Sequence, residues 1–98
     1  MYTVLQTEAF EAWVDGLDKP VQARVAMRLR RAELGNLGDY KLVGDGVSEM
    51  RLDFGPGYRL YFAHRGTVVI IMLGGGDKAT QKRDLARAKK LAAKIGDL

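Results

Sequence analysis

The spacing of apolar residues changes about half way along the chain, and this change limits what the chain can fold into. Before residue 36 the apolar residues recur every three to four positions, which is the spacing of one face of an α-helix. Between residues 49 and 63 apolar and polar residues alternate, which is the spacing of a β-strand with one buried face. A helical half joined to a strand-rich half predicts the α+β class, an antiparallel sheet with helices packed against it.

The first half contains two predicted helices after a short opening strand at Tyr2–Leu5. Thr7 is a suitable N-cap for the first helix, and Asp18 with Pro20 begins the second, which Gly35 ends. The apolar stripe of the first helix is formed by Phe10, Trp13, Val14 and Leu17, and that of the second by Val21, Val25, Leu29 and Ala32. A second face of the second helix carries Arg24, Arg28 and Arg31. The two segments are typical of an αα-hairpin.

The second half contains three predicted strands and one helix. Residues 36–46 are rich in Gly, Asn and Asp and are predicted to form a loop. Two half-buried strands follow on either side of the turn Gly55–Gly57, and Thr67–Leu73, apolar on both faces, predicts an interior strand that Gly74–Gly76 ends. A last helix is expected from near Lys78 to Gly96, with an apolar stripe of Leu85, Ala88, Ala92 and Ile95. The predicted order is β-α-α-β-β-β-α.

The size and composition fit one folded domain spanning residues 1–98. Hydrophobic residues make up 47% of the chain, which argues against disorder, and the absence of cysteine excludes disulfides and thiol chemistry. The longest apolar run, Val68–Leu73, is far shorter than the ~20 residues that cross a bilayer. The first residues do not resemble a secretion signal, so a cytoplasmic location is expected.

The net charge of +4 is unevenly distributed. Residues 1–49 carry 6 basic and 8 acidic residues, whereas residues 50–98 carry 10 basic and 4 acidic ones. The second half is therefore the place to look for an anionic partner, and nucleic acid is the commonest. A basic helix is also often only a solvated surface, so charge leaves both interpretations open.

Several kinds of chemistry have no support in the sequence. A single histidine, His64, and no cysteine leave no metal-ligand cluster, and no metal or cofactor is expected. A catalytic triad would need His64 beside Ser48, and nothing in the sequence indicates this. The glycines Gly74–Gly76 match no nucleotide-binding motif, although a glycine turn next to Lys78 suits a single phosphate.

The polar faces of the two alternating strands suggest a site. Glu49 and Arg51 share one face of the first strand, and Arg59 and Tyr61 share one face of the next, so antiparallel pairing can bring them together near Lys78. Arginines suit phosphate oxygens, a carboxylate can take the proton of a 2′-hydroxyl, and an aromatic ring can stack on a base. An RNA phosphodiester fits this set without a metal. Cross-strand Glu–Arg pairing on an exposed sheet face is the alternative.

Four segments resemble the RelE/ParE superfamily of toxins, and more narrowly its HigB-like branch of addiction-module killer proteins. They are Asp39–Leu42, Gly46–Arg51, Gly55–Tyr61 and Gly74–Gln81, which contain Glu-x-Arg, Gly-Tyr-Arg-x-Tyr and Gly-Gly-Asp-Lys-x-x-Gln. The resemblance covers essentially the whole chain and its element order. It implies a RelE-like fold and a type II toxin–antitoxin toxin, a metal-independent ribosome-dependent endoribonuclease that cuts mRNA by 2′-hydroxyl attack.

The resemblance also implies residue roles. Arg59 matches the arginine that holds the scissile phosphate, Arg51 a basic residue on the preceding strand, Glu49 a position used by a general base, and Lys78 a basic residue after the last strand. RNA contacts are implied for Lys41, Tyr61, Gln81 and Lys82. The chain departs from several relatives in having neither His nor Tyr between residues 78 and 98, and an ammonium is a weaker acid than an imidazolium near neutrality.

Two partners are implied as well: mRNA on the ribosome, and an antitoxin that usually carries a helix-turn-helix in this branch. A different function on the same fold is the alternative. ParE-like relatives inhibit DNA gyrase by binding and cleave no RNA.

Overall fold

The computed structural model describes residues 1–96, which form five strands and three helices. The elements are β1 (Thr3–Gln6), α1 (Glu8–Asp15), α2 (Lys19–Glu33), β2 (Tyr40–Gly44), β3 (Val47–Arg51), β4 (Arg59–Arg65), β5 (Val69–Gly76) and α3 (Gln81–Ile95). The α+β class is therefore confirmed. None of the helices within residues 1–96 is long and apolar enough to cross a membrane.

The helix boundaries follow the capping residues that the sequence offers. The hydroxyl of Thr7 accepts a hydrogen bond from the backbone N–H of Phe10 at 3.2 Å, so Thr7 is the N-cap of α1. Asp18 is the N-cap residue of α2 and Pro20 lies in its first turn, where a missing backbone N–H costs nothing. Gly96 ends α3 with a positive φ of 55°.

The sheet has the strand order β1-β5-β4-β3-β2 and is not purely antiparallel. The pairs β2–β3, β3–β4 and β4–β5 are antiparallel, whereas β1 pairs with β5 in parallel. The prediction of an antiparallel sheet is wrong for this one edge. After β1 the chain passes through the αα-hairpin and re-enters the sheet at its opposite edge, so no tight hairpin sets the direction of β1.

A strand lies where the sequence indicated a loop. Residues 36–46 contain β2, so the element order is β-α-α-β-β-β-β-α rather than the predicted β-α-α-β-β-β-α. This edge strand is held by its backbone pairing with β3 and buries little, as the 70% exposure of Leu42 shows. It therefore lacks the alternation of buried apolar residues by which strands are recognised.

The three glycines Gly74–Gly76 do not end the last strand but form part of it. The indole of Trp13 lies against Gly75, and the carboxylate of Asp84 lies where a side chain at Gly76 would be. Gly75 and Gly76 are thus needed because neighbouring side chains approach the backbone closely, and not because the chain turns there.

Both faces of the sheet are covered. One face packs on α1 and α2 through a core that includes Phe10, Val25, Leu29, Met50, Leu60, Phe62, Ile70 and Met72. The other face packs on α3 through Val47, Tyr61, Ile71, Leu73 and Ala88. The predicted helical stripe of α3 is confirmed, but the expected polar, half-exposed face of β3 and β4 is wrong, because α3 lies over it.

Candidate functional site

The pairing of β3 with β4 brings the predicted residues together in two cross-strand pairs. Glu49 is directly opposite Tyr61, and Arg51 is directly opposite Arg59. Residues directly opposite each other in an antiparallel ladder point to the same face of the sheet. All four side chains therefore leave the sheet on the side covered by α3, and the predicted convergence is confirmed.

The first turn of α3 covers the inner pair. The side-chain amide of Gln81 donates a hydrogen bond of 2.8 Å to Oε1 of Glu49, and both Glu49 and Tyr61 are 0% exposed. A nucleobase cannot stack on Tyr61 in this structure, because the ring has no accessible surface. The two arginines are only partly buried, so they lie at the entrance to the covered pair. We call the five residues Glu49, Arg51, Arg59, Tyr61 and Gln81 the polar cleft.

Four buried polar atoms of the polar cleft lack hydrogen-bond partners within residues 1–96. They are Glu49 Oε2, Arg51 Nε, Arg59 Nε and the hydroxyl of Tyr61. A buried polar atom without a partner costs about 1–3 kcal/mol, and such atoms are rare in folded proteins. Within residues 1–96, three of the four (all except Arg51 Nε) lack an ion-pair partner as well, and together they mark a place prepared for a polar ligand.

The two arginines differ in what already neutralises them. Nε of Arg51 lies 3.3 Å from Oδ2 of Asp39 as an ion pair, and its terminal nitrogen donates to Oδ1 of Asp39 at 3.3 Å. No hydrogen bond or ion pair within residues 1–96 involves the guanidinium of Arg59. Arg59 is therefore the cation of the polar cleft with the greatest capacity to bind an anion.

Tyr61 is held in its neutral form. Burial is the main cause that raises the pKa of its phenol well above the ordinary value, and the nearby carboxylates of Glu49 and Asp84 raise it further. Arg59 opposes this shift. The phenol is thus a hydrogen-bond donor at neutral pH rather than a source of negative charge.

Lys78 lies beside the turn that joins β3 to β4. Its backbone N–H donates to the carbonyl of Pro56 at 3.3 Å, and a side chain added at Gly57 would come within 3.3 Å of its Cβ. Gly76, two residues earlier, pairs with Arg59. Lys78 is exposed, and its backbone lies near the start of β4, where Arg59 is.

Two of the lysines expected to bind RNA lie at the edge of the polar cleft. Lys41 on β2 is directly opposite Glu49 in the ladder, and Lys82 follows Gln81 on α3. Both are exposed. The structure brings them near the predicted site but assigns them no contact with its buried part.

The sequence did not reveal the polar network that shapes the turn between β5 and α3. Thr80 donates its hydroxyl to Asp84, and the backbone N–H of Thr80 donates to Oδ1 of Asp77 at 3.1 Å. Asp84 is buried, with 9% of its surface exposed. The sequence does contain a signal for this network. Asp77 and Thr80 lie three residues apart just before the apolar stripe of α3, and this spacing resembles a helix cap. No group of three or more possible metal-ligating residues occurs among residues 1–96.

The fold and the polar cleft together define a small α+β protein with an arginine site under its C-terminal helix. The chain belongs to the family described as phage-derived protein Gp49-like (DUF891), whose model matches residues 12–94. This toxin-like family is related to RelE/HigB-type addiction modules. The resemblance seen in the sequence is thereby confirmed at this level, and membership of the HigB-like branch itself stays a prediction.

The chain is also similar to a protein of Haemophilus influenzae that is described as uncharacterized. The two are 42% identical over 91 residues, which cover 92% of each chain. The similarity extends over nearly the whole domain. This similarity supports the family assignment. It adds no separate support for the predicted antitoxin partner, which rests on the family alone.

Proposed function

We propose that this protein is the toxin of a type II toxin–antitoxin system and cleaves mRNA on the ribosome. The observation that carries the proposal is the set of four buried polar atoms on β3 and β4 that have no hydrogen-bond partner within residues 1–96; one of them, Arg51 Nε, is in an ion pair with Asp39. They include a carboxylate oxygen, two guanidinium nitrogens and a phenol. This is a donor and acceptor set that a phosphodiester with its 2′-hydroxyl would satisfy.

The arginines hold the scissile phosphate. Arg59, whose guanidinium is uncommitted within residues 1–96, binds the phosphate oxygens, and Arg51 adds positive charge beside it. Negative charge grows on these oxygens as the phosphorus becomes five-coordinate, so fixed guanidinium groups stabilise the transition state more than the bound RNA.

Glu49 acts as the general base. Its Oε2 takes the proton of the 2′-hydroxyl, the O2′–P bond forms, and the P–O5′ bond breaks to leave a 2′,3′-cyclic phosphate. The departing 5′ oxygen takes a proton from the ammonium of Lys78, which lies beside the β3–β4 turn. In the free protein Gln81 donates to Oε1 of Glu49, whereas Oε2 has no hydrogen-bond partner within residues 1–96.

RNA reaches Glu49, the general base, only when the first turn of α3 moves away from β3. Glu49 and Tyr61 are 0% exposed, so the 2′-hydroxyl has to displace the side chain of Gln81 to approach Oε2. The ribosome, which orders the mRNA, supplies the binding energy for this rearrangement. The phenol of Tyr61 then donates to the bound RNA, in place of the base stacking that the sequence suggested.

The test is expression in bacterial cells of the wild type, Arg59→Ala and a matched control, Arg65→Ala. Arg65 lies on the same strand, about 20 Å away along β4, and its guanidinium donates to the carbonyl of Gly96 at 3.3 Å. Arg59→Ala should fold, because Leu60 and Phe62 carry the packing of β4. We expect the wild type and Arg65→Ala to stop protein synthesis and growth, and Arg59→Ala to be harmless.

Two results would contradict the proposal. If Arg59→Ala folds and is fully toxic, the scissile phosphate does not bind in the polar cleft. DNA-damage signalling and filamentation with intact protein synthesis would instead indicate the alternative function, inhibition of DNA gyrase.

A further inference from the structure

A groove rich in arginine opens next to the polar cleft, and α2 forms one of its walls. Its volume is about 820 Å³. Five arginines and two aspartates line it, which gives a net charge of +3: Arg24, Arg28, Arg31, Arg51, Arg59, Asp39 and Asp53. We call this the arginine groove. Arg51 and Arg59 line it as well, so the arginine groove meets the polar cleft where β3 ends and β4 begins.

The three arginines that α2 contributes to the arginine groove have different roles. Arg28 donates to three backbone carbonyls, those of Leu37, Asp39 and Arg51, at 2.8 to 3.4 Å. Its guanidinium therefore ties α2 to the end of β3, and burial lowers its pKa. It is a structural residue with little capacity left for a ligand.

Arg24 and Arg31 are exposed and make no hydrogen bond or ion pair within residues 1–96. The guanidinium carbon of Arg24 lies 4.5 Å from the ring centroid of Phe54, which is a cation–π contact that restrains the guanidinium and forms no hydrogen bond with its N–H groups. Arg31 is close enough to Arg28 to lower the pKa of that residue. Like charges gathered in this way are unfavourable unless an anion joins them.

We propose that Arg24 and Arg31 bind the backbone phosphates of the single-stranded RNA that continues from the polar cleft. Seven residues separate them, which corresponds to about 10 Å along α2. A strand whose scissile phosphate lies at Arg59 has to leave the polar cleft, and the arginine groove is the positively charged path that begins at that residue. This inference rests on the proposed function, because it names the path of the substrate beyond the cleaved bond.

The lining favours RNA over an acidic protein segment. Arginine forks match phosphate oxygens, and the plane of Arg24 over Phe54 offers a surface on which a base can stack. Met27, Leu52 and Phe54 supply the apolar side chains of the arginine groove, and the seven charged residues outnumber them. A protein helix would need a broader apolar surface to dock with comparable strength.

The chain offers a matched control on the same helix. Arg30 lies outside the arginine groove, its side chain is 69% exposed, and it pairs with Glu33 at 3.4 Å. Arg30→Ala therefore removes the same charge from the same helix without changing the arginine groove. All of these positions are exposed or half-exposed on α2, so the variants should fold, and circular dichroism checks this.

The experiment measures binding of a short, fluorescein-labelled 2′-O-methyl RNA of mixed sequence by fluorescence anisotropy. This probe has no free 2′-hydroxyl and is not cleaved, so binding is read independently of chemistry. We expect Arg24→Ala and Arg31→Ala each to weaken binding roughly three- to fivefold at low salt. Each should also make the slope of log affinity against log salt concentration less negative by about 0.7, while Arg30→Ala matches the wild type.

Every other outcome counts against the inference. Equal losses of affinity for the RNA probe in Arg24→Ala, Arg31→Ala and Arg30→Ala would show a general charge effect. If the wild type shows no detectable binding at about 50 mM salt, RNA does not follow the arginine groove. Dependence on Arg24 and Arg31 for polyglutamate but not for the RNA would assign the arginine groove to an acidic protein.

Failure of the inference and failure of the proposed function are distinguishable. If the RNA probe binds as expected but Arg59→Ala stays toxic in cells, the arginine groove binds RNA and the proposed cleavage at the polar cleft is wrong. If Arg59→Ala is harmless but the α2 variants bind the probe normally, the cleavage proposal stands and the path along α2 is wrong.

Discussion

Replacing Tyr61 with Phe should make the protein more stable and less active. The phenol ring is 0% exposed, and its hydroxyl has no hydrogen-bond partner within residues 1–96. Tyr61→Phe removes this oxygen and leaves the packing of the ring intact. Replacement of a residue that is retained for function and costs stability is expected to give this combination of higher stability and lower activity.

The gain in stability follows from the missing partner. A buried polar group without a hydrogen bond costs about 1–3 kcal/mol, so its removal should raise the free energy of unfolding by about 1 kcal/mol at neutral pH. For a domain of this size, 1 kcal/mol corresponds to a rise of about 4–8 °C in the melting temperature. Thermal and urea unfolding followed by circular dichroism measure both quantities.

The same substitution should remove a loss of stability at alkaline pH. Burial, together with Glu49 and Asp84, raises the pKa of Tyr61 in the folded state, whereas the phenol of the unfolded chain ionises near pH 10. Above about pH 10 the unfolded state therefore holds fewer protons than the folded state. The difference in the ionisation of Tyr61 should therefore lower the free energy of unfolding by about 1.4 kcal/mol for each pH unit above pH 10, and it should have no effect below pH 10.

The control is Tyr40→Phe, since Tyr40 is 43% exposed on the edge strand β2. It should keep the alkaline loss that Tyr61→Phe removes. A decrease of 1 kcal/mol or more on Tyr61→Phe at neutral pH would show that the hydroxyl is hydrogen-bonded in the folded protein. Unchanged cleavage of mRNA by this variant would show that the phenol does not donate to RNA.

Three further variants test the polar cleft and its surroundings. Gln81→Ala leaves Oε1 of Glu49 without a donor in a buried place, so it should lower the free energy of unfolding by about 1–3 kcal/mol, whereas exposed Lys82→Ala should change it by less than about 0.5 kcal/mol. Gly75→Ala forces a methyl group against the indole of α1 and should lower the free energy of unfolding by about 1–3 kcal/mol, while Gly74→Ala, which meets open space, should not; equal effects would contradict the packing described. Glu49→Gln should slow cleavage of ribosome-bound mRNA by about 10²–10⁴-fold in single-turnover assays, and an unchanged rate would leave Glu49 a structural residue.

The pairing of β3 with β4 could be predicted because two local signals agree. Polar and apolar residues alternate from Glu49 to Phe54 and, with Tyr61 on the polar side, from Tyr58 to Phe62, and Gly55–Gly57 provides a turn between them. The alternation fixes which side chains share a face, so Glu49 and Arg51 were expected beside Tyr61 and Arg59. This part of the candidate site follows from the periodicity of the sequence alone.

The cover over the polar cleft could not be predicted from β3 and β4 themselves. Charged residues on one face of a strand usually indicate a solvent-exposed face, and here α3 covers them. The indication lies elsewhere in the chain: Thr67–Leu73 is apolar on both faces, and the stripe on α3 needs a surface to pack on. Nothing local identified β2, because an exposed edge strand is held by backbone hydrogen bonds that leave no pattern in the side chains.

The most direct measurement is cleavage of mRNA on purified translating ribosomes, with primer extension to find the cut and analysis of the new 3′ end. The wild type and Arg65→Ala should cut within the mRNA and leave a 2′,3′-cyclic phosphate without added metal, while Arg59→Ala leaves the mRNA intact. A 3′-hydroxyl at the cut, or equal cleavage by Arg59→Ala, would contradict 2′-hydroxyl attack at the polar cleft.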